Sequence, residues 1–124
     1  MTAVNQDFSA TAGDAVSPVF TATNSTGGAL DLSTVTSLDW ALMTRDLAVL
    51  LQKSLASDGG IALVEVQPDG TIIPNDGTAG RFQVSVLTGE TATMLGRLPH
   101  VAWIIDATGE KITLATGVFT VSPP

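Results

Sequence analysis

The sequence contains no cysteine and no tyrosine, and its single histidine is His100. The absence of cysteine excludes disulfides, thiolate metal sites and cysteine nucleophiles together. Aromatic residues make up only 5% of the chain, whereas hydrophobic residues make up 44%. Such a composition predicts a core built mainly from Val, Leu, Ile and Ala, without a surface on which a cofactor would stack. We therefore expect neither a cofactor nor a metal.

Basic residues are also scarce. Five Lys and Arg against twelve Asp and Glu give a formal net charge of -7, which opposes binding to nucleic acid and to anionic membranes. The N-terminus has no basic region followed by an apolar one, and no apolar run is long enough to cross a bilayer. We expect a soluble protein without nucleic-acid or membrane partners. Its 124 residues fit a single domain, residues 1–124.

Turn residues recur at short intervals along the chain. They are Gly13-Asp14, Asn24 to Gly28, Asp58-Gly59-Gly60, Asp69-Gly70, Asn75-Asp76-Gly77 and Thr108-Gly109. This spacing favours a sandwich or barrel of short strands. The clearest strand covers residues 81–87, where Phe82, Val84 and Val86 alternate with polar residues. It is predicted to bury one face.

Two further strands are predicted from alternation. Leu38, Trp40 and Leu42 share one face, and the size of Trp40 predicts a place between two sheets. Residues 16–23 alternate as well, but Pro18 cannot donate a ladder hydrogen bond. That segment is therefore predicted to be an edge strand or to contain a bulge.

The last hairpin joins residues 100–105 to residues 111–121, and Gly109 supplies the positive φ that its loop needs. The apolar residues of its second strand change phase, from the even positions Ile112 and Leu114 to the odd positions Phe119 and Val121. A β-bulge keeps all four on one face. We predict this bulge at Gly117.

Two segments have features of helices. Four leucines at helical spacing follow a possible Asp46 cap and precede Gly59: Leu47, Leu50, Leu51 and Leu55. Residues 88–96 are predicted to form one helical turn that crosses between the sheets. Ala92 and Leu95 of that turn would cover the end of the core.

No catalytic constellation accompanies His100. A serine-type triad would place this histidine beside a nucleophile on a sharp elbow, and the sequence has no Gly-x-Ser-x-Gly segment. We therefore expect His100 to be a structural or surface residue, and the chain not to be an enzyme.

Four aspartates lie beside turn glycines: Asp58, Asp69, Asp76 and Asp106. They do not follow the alternating ligand spacing of an EF-hand. Carboxylates in turns ordinarily accept hydrogen bonds from turn amides, and this is the expected role. Convergence of several such loops on one ion is the alternative.

The strand at residues 101–105 is apolar on both faces, with Val101, Trp103 and Ile105 on one face. A lone sandwich would expose the other face, so either a loop or the helical segment covers it, or another subunit does. The predicted interaction surface consists of Ala102 and Ile104 together with Ala41 and Met43.

Four segments within residues 80–121 occur in a characteristic order: Gly80-Arg81-Phe82-Gln83-Val84, Thr91-Ala92, Asp106-Ala107-Thr108-Gly109-Glu110 and Gly117-Val118-Phe119-Thr120-Val121. In these segments the chain resembles the immunoglobulin-like domains of tailed-phage structural proteins, in particular the N-terminal domain of phage baseplate upper proteins. Upstream segments agree more loosely and extend the resemblance over nearly the whole chain. It implies an all-β fold, an immunoglobulin-like two-sheet antiparallel β-sandwich with one short helical turn. It also implies that residues 47–55 form a strand rather than a helix.

The same resemblance implies a function without catalysis. Its members are virion proteins of tailed bacteriophages, so the chain is expected to be an assembly adaptor or a decoration module. Its partners would be other virion structural proteins and copies of itself, assembled in the bacterial cytoplasm, and both head and tail or baseplate locations stay open. The alternative is an extracellular carbohydrate-binding or adhesion module, since sandwiches host unrelated functions. Trp40 and Trp103 fit an apolar strand face better than a sugar platform.

Overall fold

The computed structural model describes residues 4–56 and 58–124. In chain order the strands are β1 Val4–Asn5, β2 Phe8–Thr11, β3 Val19–Thr21, β4 Ser37–Met43, β5 Val49–Ser54, β6 Ile61–Val66, β7 Ile72–Pro74, β8 Arg81–Val84, β9 Gly96–Ile105 and β10 Lys111–Ser122. A single helical turn, α1 Thr88–Thr91, lies between β8 and β9. The prediction of an all-β chain with one short helical turn is confirmed.

The strands form two sheets. The first has the order β1-β10-β9-β4-β5, with β2 also paired to β10, and the second has the order β3-β8-β6-β7. The chain alternates between the sheets, which gives the strand arrangement of an immunoglobulin-like sandwich. All neighbouring strands are antiparallel except β1 and β2, which run parallel to β10. They do so because β2 leads into β3 of the other sheet, so no hairpin links it to β10.

The core lies between the two sheets and is mostly aliphatic with a few rings. Its buried residues are Phe20, Ala22, Leu32, Leu38, Trp40, Leu42, Ile61, Phe82, Val84, Val86, Ala102, Ile104, Leu114, Ala115, Phe119 and Val121. Trp40 is fully buried at its centre, as its size predicted. The alternation of Phe82, Val84 and Val86 is confirmed as well. The segment with Pro18 precedes β3, which lies at the edge of the second sheet as predicted.

The phase change in β10 is confirmed, but the position predicted for the bulge is wrong. The register of β10 against β9 shifts between Thr113 and Ala115, so the extra residue is Leu114. Leu114 and Ala115 are consecutive and both buried, which moves the later inward positions from even to odd. Gly117 has a different role, because it faces the segment before β2 at close range.

The segment at residues 47–55 is a strand, as the family resemblance implied, and its helical leucine spacing is coincidental. Leu47 has a positive φ of 65° in the turn before β5, where its N–H donates to the Thr44 carbonyl at 2.9 Å. In the crossover at residues 88–96, Ala92 and Leu95 are exposed. They therefore do not cover the core, and Thr91 and Met94 are buried instead, Thr91 fully and Met94 in part.

Candidate interaction surface

Two of the four residues predicted to form the interaction surface lie inside the sandwich. Ala102 and Ile104 are 0% and 2% exposed and belong to the core. The register explains this, since Ala102 pairs with Trp40 and Ile104 pairs with Leu38, and paired residues point to the same side of a sheet. The prediction is wrong for both residues. Because Ala102 is small, the indole of Trp40 fits beside it. A second large side chain at this position would leave too little room in the core.

The other two predicted residues, Ala41 and Met43, lie on the outer face of the first sheet. Ala41 pairs with Val101 on one side and with Gln52 on the other. These neighbours leave Ala41 only 1% exposed, and Met43 is partly buried. The outer face therefore offers little of these two side chains to a partner.

Trp103 also stands on this outer face and is half-buried. The Nζ of Lys111 lies over its ring, 4.9 Å from the centroid. This is a cation–π contact, and it occupies one face of the indole. That geometry does not favour a sugar-stacking platform at Trp103.

A more accessible apolar region lies at the end of the first sheet. Leu47, Val49 and Leu50 are 67%, 58% and 48% exposed. They lie in the turn before β5 and at the start of β5, which is the outermost strand. Among the described residues, only β4 forms a ladder with β5. We call the free side of β5, together with these three side chains, the open edge.

The backbone along the open edge has hydrogen-bonding groups to offer. The Leu55 N–H donates to the Leu38 carbonyl at 3.0 Å, and in an antiparallel ladder such bonded pairs alternate with unbonded ones. By this alternation Lys53 is bonded to β4, whereas the N–H and C=O of Gln52 point away from it. The Ser54 N–H is already taken by the Gly59 carbonyl at 2.8 Å. The backbone of Gln52 is therefore free to form hydrogen bonds with an added strand.

Charge does not protect the open edge. Lys53 is the single charged residue of β5, and its Nζ lies 2.8 and 2.9 Å from the two carboxylate oxygens of Glu90. Edge strands are commonly guarded by prolines or by outward lysines. By contrast, β7 ends at Pro74, and at β3 the Thr21 N–H donates to the Gln6 side chain at 3.1 Å. β5 itself contains no proline, and its one lysine is engaged by Glu90. The open edge therefore lacks both kinds of protection.

The sequence contains a signal for this edge that its helical spacing obscured. Residues 47–51 are five consecutive apolar residues directly after Arg45 and Asp46. In a strand such a run must place apolar side chains on both faces, and at an edge one of those faces is exposed. The family-based assignment predicted a strand at residues 47–55 but not its position at the edge of a sheet.

His100 is an interior residue with both ring nitrogens engaged. The Trp40 Nε1–H donates to His100 Nδ1 at 3.3 Å, and His100 Nε2 lies 2.7 Å from the Gln6 carbonyl. Only 2% of the residue is exposed. Burial lowers the pKa of His100, although the hydrogen bond to Gln6 and the nearby Asp7 act in the opposite direction. The imidazole is structural, in agreement with the sequence-based expectation, and faces no cleft.

Turn aspartates use their carboxylates to fix loops. Each Oδ1 accepts the N–H two residues on: Asp31 from Ser33, Asp69 from Thr71, Asp76 from Thr78 and Asp106 from Thr108, at 2.8 to 3.1 Å. These hydrogen bonds lower the pKa of all four carboxyl groups. The expected role is thus confirmed for three of the four predicted residues. Asp58 instead adopts a positive φ of 59°. No group of three or more His, Asp or Glu within residues 4–56 and 58–124 is arranged to hold a metal.

Two depressions lie on the surface of the described residues. One depression of about 260 Å³ lies between residues 36–39 and 54–56, and another of about 200 Å³ lies along β6 and β7. Neither contains His100. No helix in the described part of the chain is long and apolar enough to span a membrane.

Comparison with known proteins gives no family. No known family model matches the chain, and neither does any curated protein. Among solved structures, the chain is similar to CopC from Methylosinus trichosporium OB3b, with 10% identity over 98% of this chain and 86% of that one, at a TM-score of 0.43. It is also similar to AggA, the major subunit of aggregative adherence fimbriae type I from Escherichia coli, with 15% identity over 94% and 89% and a TM-score of 0.36. These likenesses concern the fold alone.

Proposed function

We propose that this chain is a non-enzymatic structural protein of a tailed-phage virion, which docks onto other virion proteins through the open edge of β5. The virion assignment rests on the sequence resemblance of residues 80–121. The docking role rests on one observation of the structure, the open edge with its exposed Leu47, Val49 and Leu50.

An open edge supports docking for two physical reasons. Its unpaired N–H and C=O groups accept an additional strand, and side chains at alternate positions provide specificity. Its exposed leucines and valine lose contact with water when a partner covers them, which stabilises the complex by about 25 cal/mol per Å² of apolar surface. The partner is another virion protein or a second copy of the chain. A net charge of -7 supports protein partners over nucleic acid.

The test is incorporation into particles. In the strain that encodes the chain, particles are purified by density gradient and analysed by quantitative mass spectrometry. We expect the wild-type chain in the particles at a fixed ratio to the major structural protein. Absence of the chain from purified particles would contradict the virion assignment.

The Leu50→Lys variant tests the docking surface separately. A lysine at this position places a charge on the open edge, a natural device against edge pairing, and should reduce incorporation at least about tenfold, since 1.4 kcal/mol of binding energy suffices for that. Leu95→Lys is the matched control, because Leu95 is 61% exposed and lies in the crossover before β9. Equal incorporation of both variants would show that the open edge is not the docking surface.

A further inference from the structure

We propose that the N-terminal residues 4–12, which include β1 and β2, form a detachable strap whose attachment requires a neutral His100. Protonation of this imidazole releases the strap from the first sheet while the remaining strands stay paired. The inference goes beyond docking at the open edge and does not depend on it.

The hydrogen bonds of His100 define its tautomer. An indole N–H can only donate, so the Nδ1 facing Trp40 at 3.3 Å must accept and carries no proton. In the neutral ring Nε2 then carries the proton and donates it to the Gln6 carbonyl at 2.7 Å. A second proton on Nδ1 would point at the Trp40 N–H, and two donors would face each other. The folded arrangement therefore accepts the neutral ring and opposes the cation.

The strap forms one side of the packing around His100. The Gln6 carbonyl contacts the ring directly, and the ring of Phe8 has its centroid 5.1 Å from that of His100. On the other sides, β3 contributes Phe20 at 5.4 Å and β4 contributes Trp40 at 6.0 Å.

The strap also contributes the charge that acts on His100. Asp7 precedes β2 and partly offsets the effect of burial on the pKa of the ring. The residues paired with His100 across the ladders are Leu42 of β4 and Gly117 of β10, and neither titrates. Moving the strap is thus the direct route by which a protonated ring is hydrated.

The ladder bonds of the strap lie along one side only, because within the first sheet it pairs with β10 alone, so its release breaks no other ladder. The side chain of Gln6 adds two hydrogen bonds to β3: its oxygen accepts the Thr21 N–H at 3.1 Å, and its amide donates to the Val19 carbonyl at 3.5 Å. The pairing is parallel and short, with two residues in β1 and four in β2, and parallel pairing is slightly the weaker kind. Between the two pieces, Asp7 Oδ1 accepts the Val118 N–H at 2.9 Å. Short edge segments held by so few ladder bonds open locally before the whole fold does.

The direction of the pH effect follows from linkage. Burial lowers the pKa of His100 when the strap is attached, whereas in the open state the hydrated ring returns toward its ordinary value of 6.5. Between these two values the open state binds more protons, so acidification favours opening. One proton taken up corresponds to an increase in the opening equilibrium of at most about tenfold per pH unit.

Hydrogen exchange tests the proposal, with rates corrected for intrinsic chemistry. The reporters are the strap amides bonded to β10, namely Gln6 N–H to Thr116 O and Ala12 N–H to Ser122 O, both at 2.8 Å. We expect their protection to fall by up to about tenfold per pH unit below 6.5, while amides in β4 and β9 keep theirs. Loss of strap protection only together with the rest of the molecule would overturn the proposal.

Two variants and one spectrum sharpen this experiment. His100→Gln should abolish the pH dependence of strap protection, and Asp7→Asn should keep it, because the titrating ring remains. A pH dependence unchanged in His100→Gln would refute the proposal. Should that variant fail to fold, ¹⁵N shifts of the single imidazole in the wild-type protein still decide the tautomer. A proton on Nδ1 at neutral pH would contradict it.

Discussion

The two edges of the first sheet are managed in opposite ways. At one edge the strap covers β10 and adds Phe8 to the core, with its ring stacked 4.3 Å from that of Phe119. At the other edge β5 exposes its backbone, and the apolar side chains of Leu47, Val49 and Leu50 are exposed beside it. The chain thus covers one edge with its own residues, and we call this the sealed edge. The open edge has no further paired strand among the described residues. Natural proteins usually protect such an edge, because it can pair with another chain.

The largest expected effect on stability comes from adding a single methyl group at the sealed edge. Gly117→Ala places a Cβ 2.8 Å from His100 Nε2 and in collision with the Gln6 carbonyl. We expect the free energy of unfolding to fall by about 2 kcal/mol, as for overpacked interiors. Urea denaturation measures it.

Gln52→Ala is the control at the open edge. It changes a side chain that contacts solvent, so its effect should stay within about 0.5 kcal/mol. Equal losses in the two variants would show that the sealed edge is not the more tightly packed one.

The second prediction concerns pH and the sealed edge. The pKa of His100 is lower in the folded protein than its ordinary value of 6.5, so the unfolded chain binds more protons between the two values. Stability from this group is therefore complete above pH 6.5 and declines as the pH falls toward the folded pKa. Urea midpoints at several pH values should show this decline in the wild-type protein and not in His100→Gln.

The turn carboxylates define a separate, more acidic window. Their pKa values are lowered from 3.8 by hydrogen bonds within the turns. Their contribution is present above pH 3.8 and is lost as the pH falls through the folded values. A decline that begins only near pH 4 would contradict a role for His100.

Much of the fold was predictable because alternation and turn residues act locally. The inward residues of β8 and the central place of Trp40 follow from side-chain period and size. The faces of β9 did not follow, because residues 101–105 are all apolar and alternation gives no sign there. Which face is buried depends on the pairing of Ala102 with Trp40. That pairing joins two segments that are far apart in the sequence, and it is set by how their side chains pack together.

The bulge and the interaction surface show the same limit. The phase change in β10 required a bulge, but whether Leu114 or Gly117 is the extra residue depends on its pairing with β9. Gly117 is needed for another reason, the approach of the strap, and the sequence does not reveal a contact across more than a hundred residues. The open edge was hidden because leucines at helical spacing do not distinguish a helix from an edge strand.

A smaller effect on stability is expected at the ion pair that joins the open edge to the crossover. Lys53 on β5 pairs with Glu90 after the end of β8, and their side chains are 12% and 24% exposed. Glu90→Gln keeps an acceptor for the Leu87 N–H, which Glu90 now binds at 2.8 Å. It removes the charge and one of the two oxygens that accept from Lys53. We expect a loss of at most about 1 kcal/mol, reduced in 1 M salt. Glu110→Gln, in an exposed loop, should lose nothing, and an equal loss there would indicate a general charge effect.

A very small effect on stability is expected for Leu50→Lys. Leu50 is 48% exposed, so a lysine there keeps its charge in water and lays its methylene chain over the same surface. The free energy of unfolding measured with urea should equal that of the wild-type protein within about 0.5 kcal/mol. This near-neutrality gives the incorporation test its meaning, because a folded variant that fails to dock has lost a partner contact rather than its fold. A destabilisation as large as that of Gly117→Ala would instead show that β5 is packed within the chain, and the contrast between the two edges would disappear.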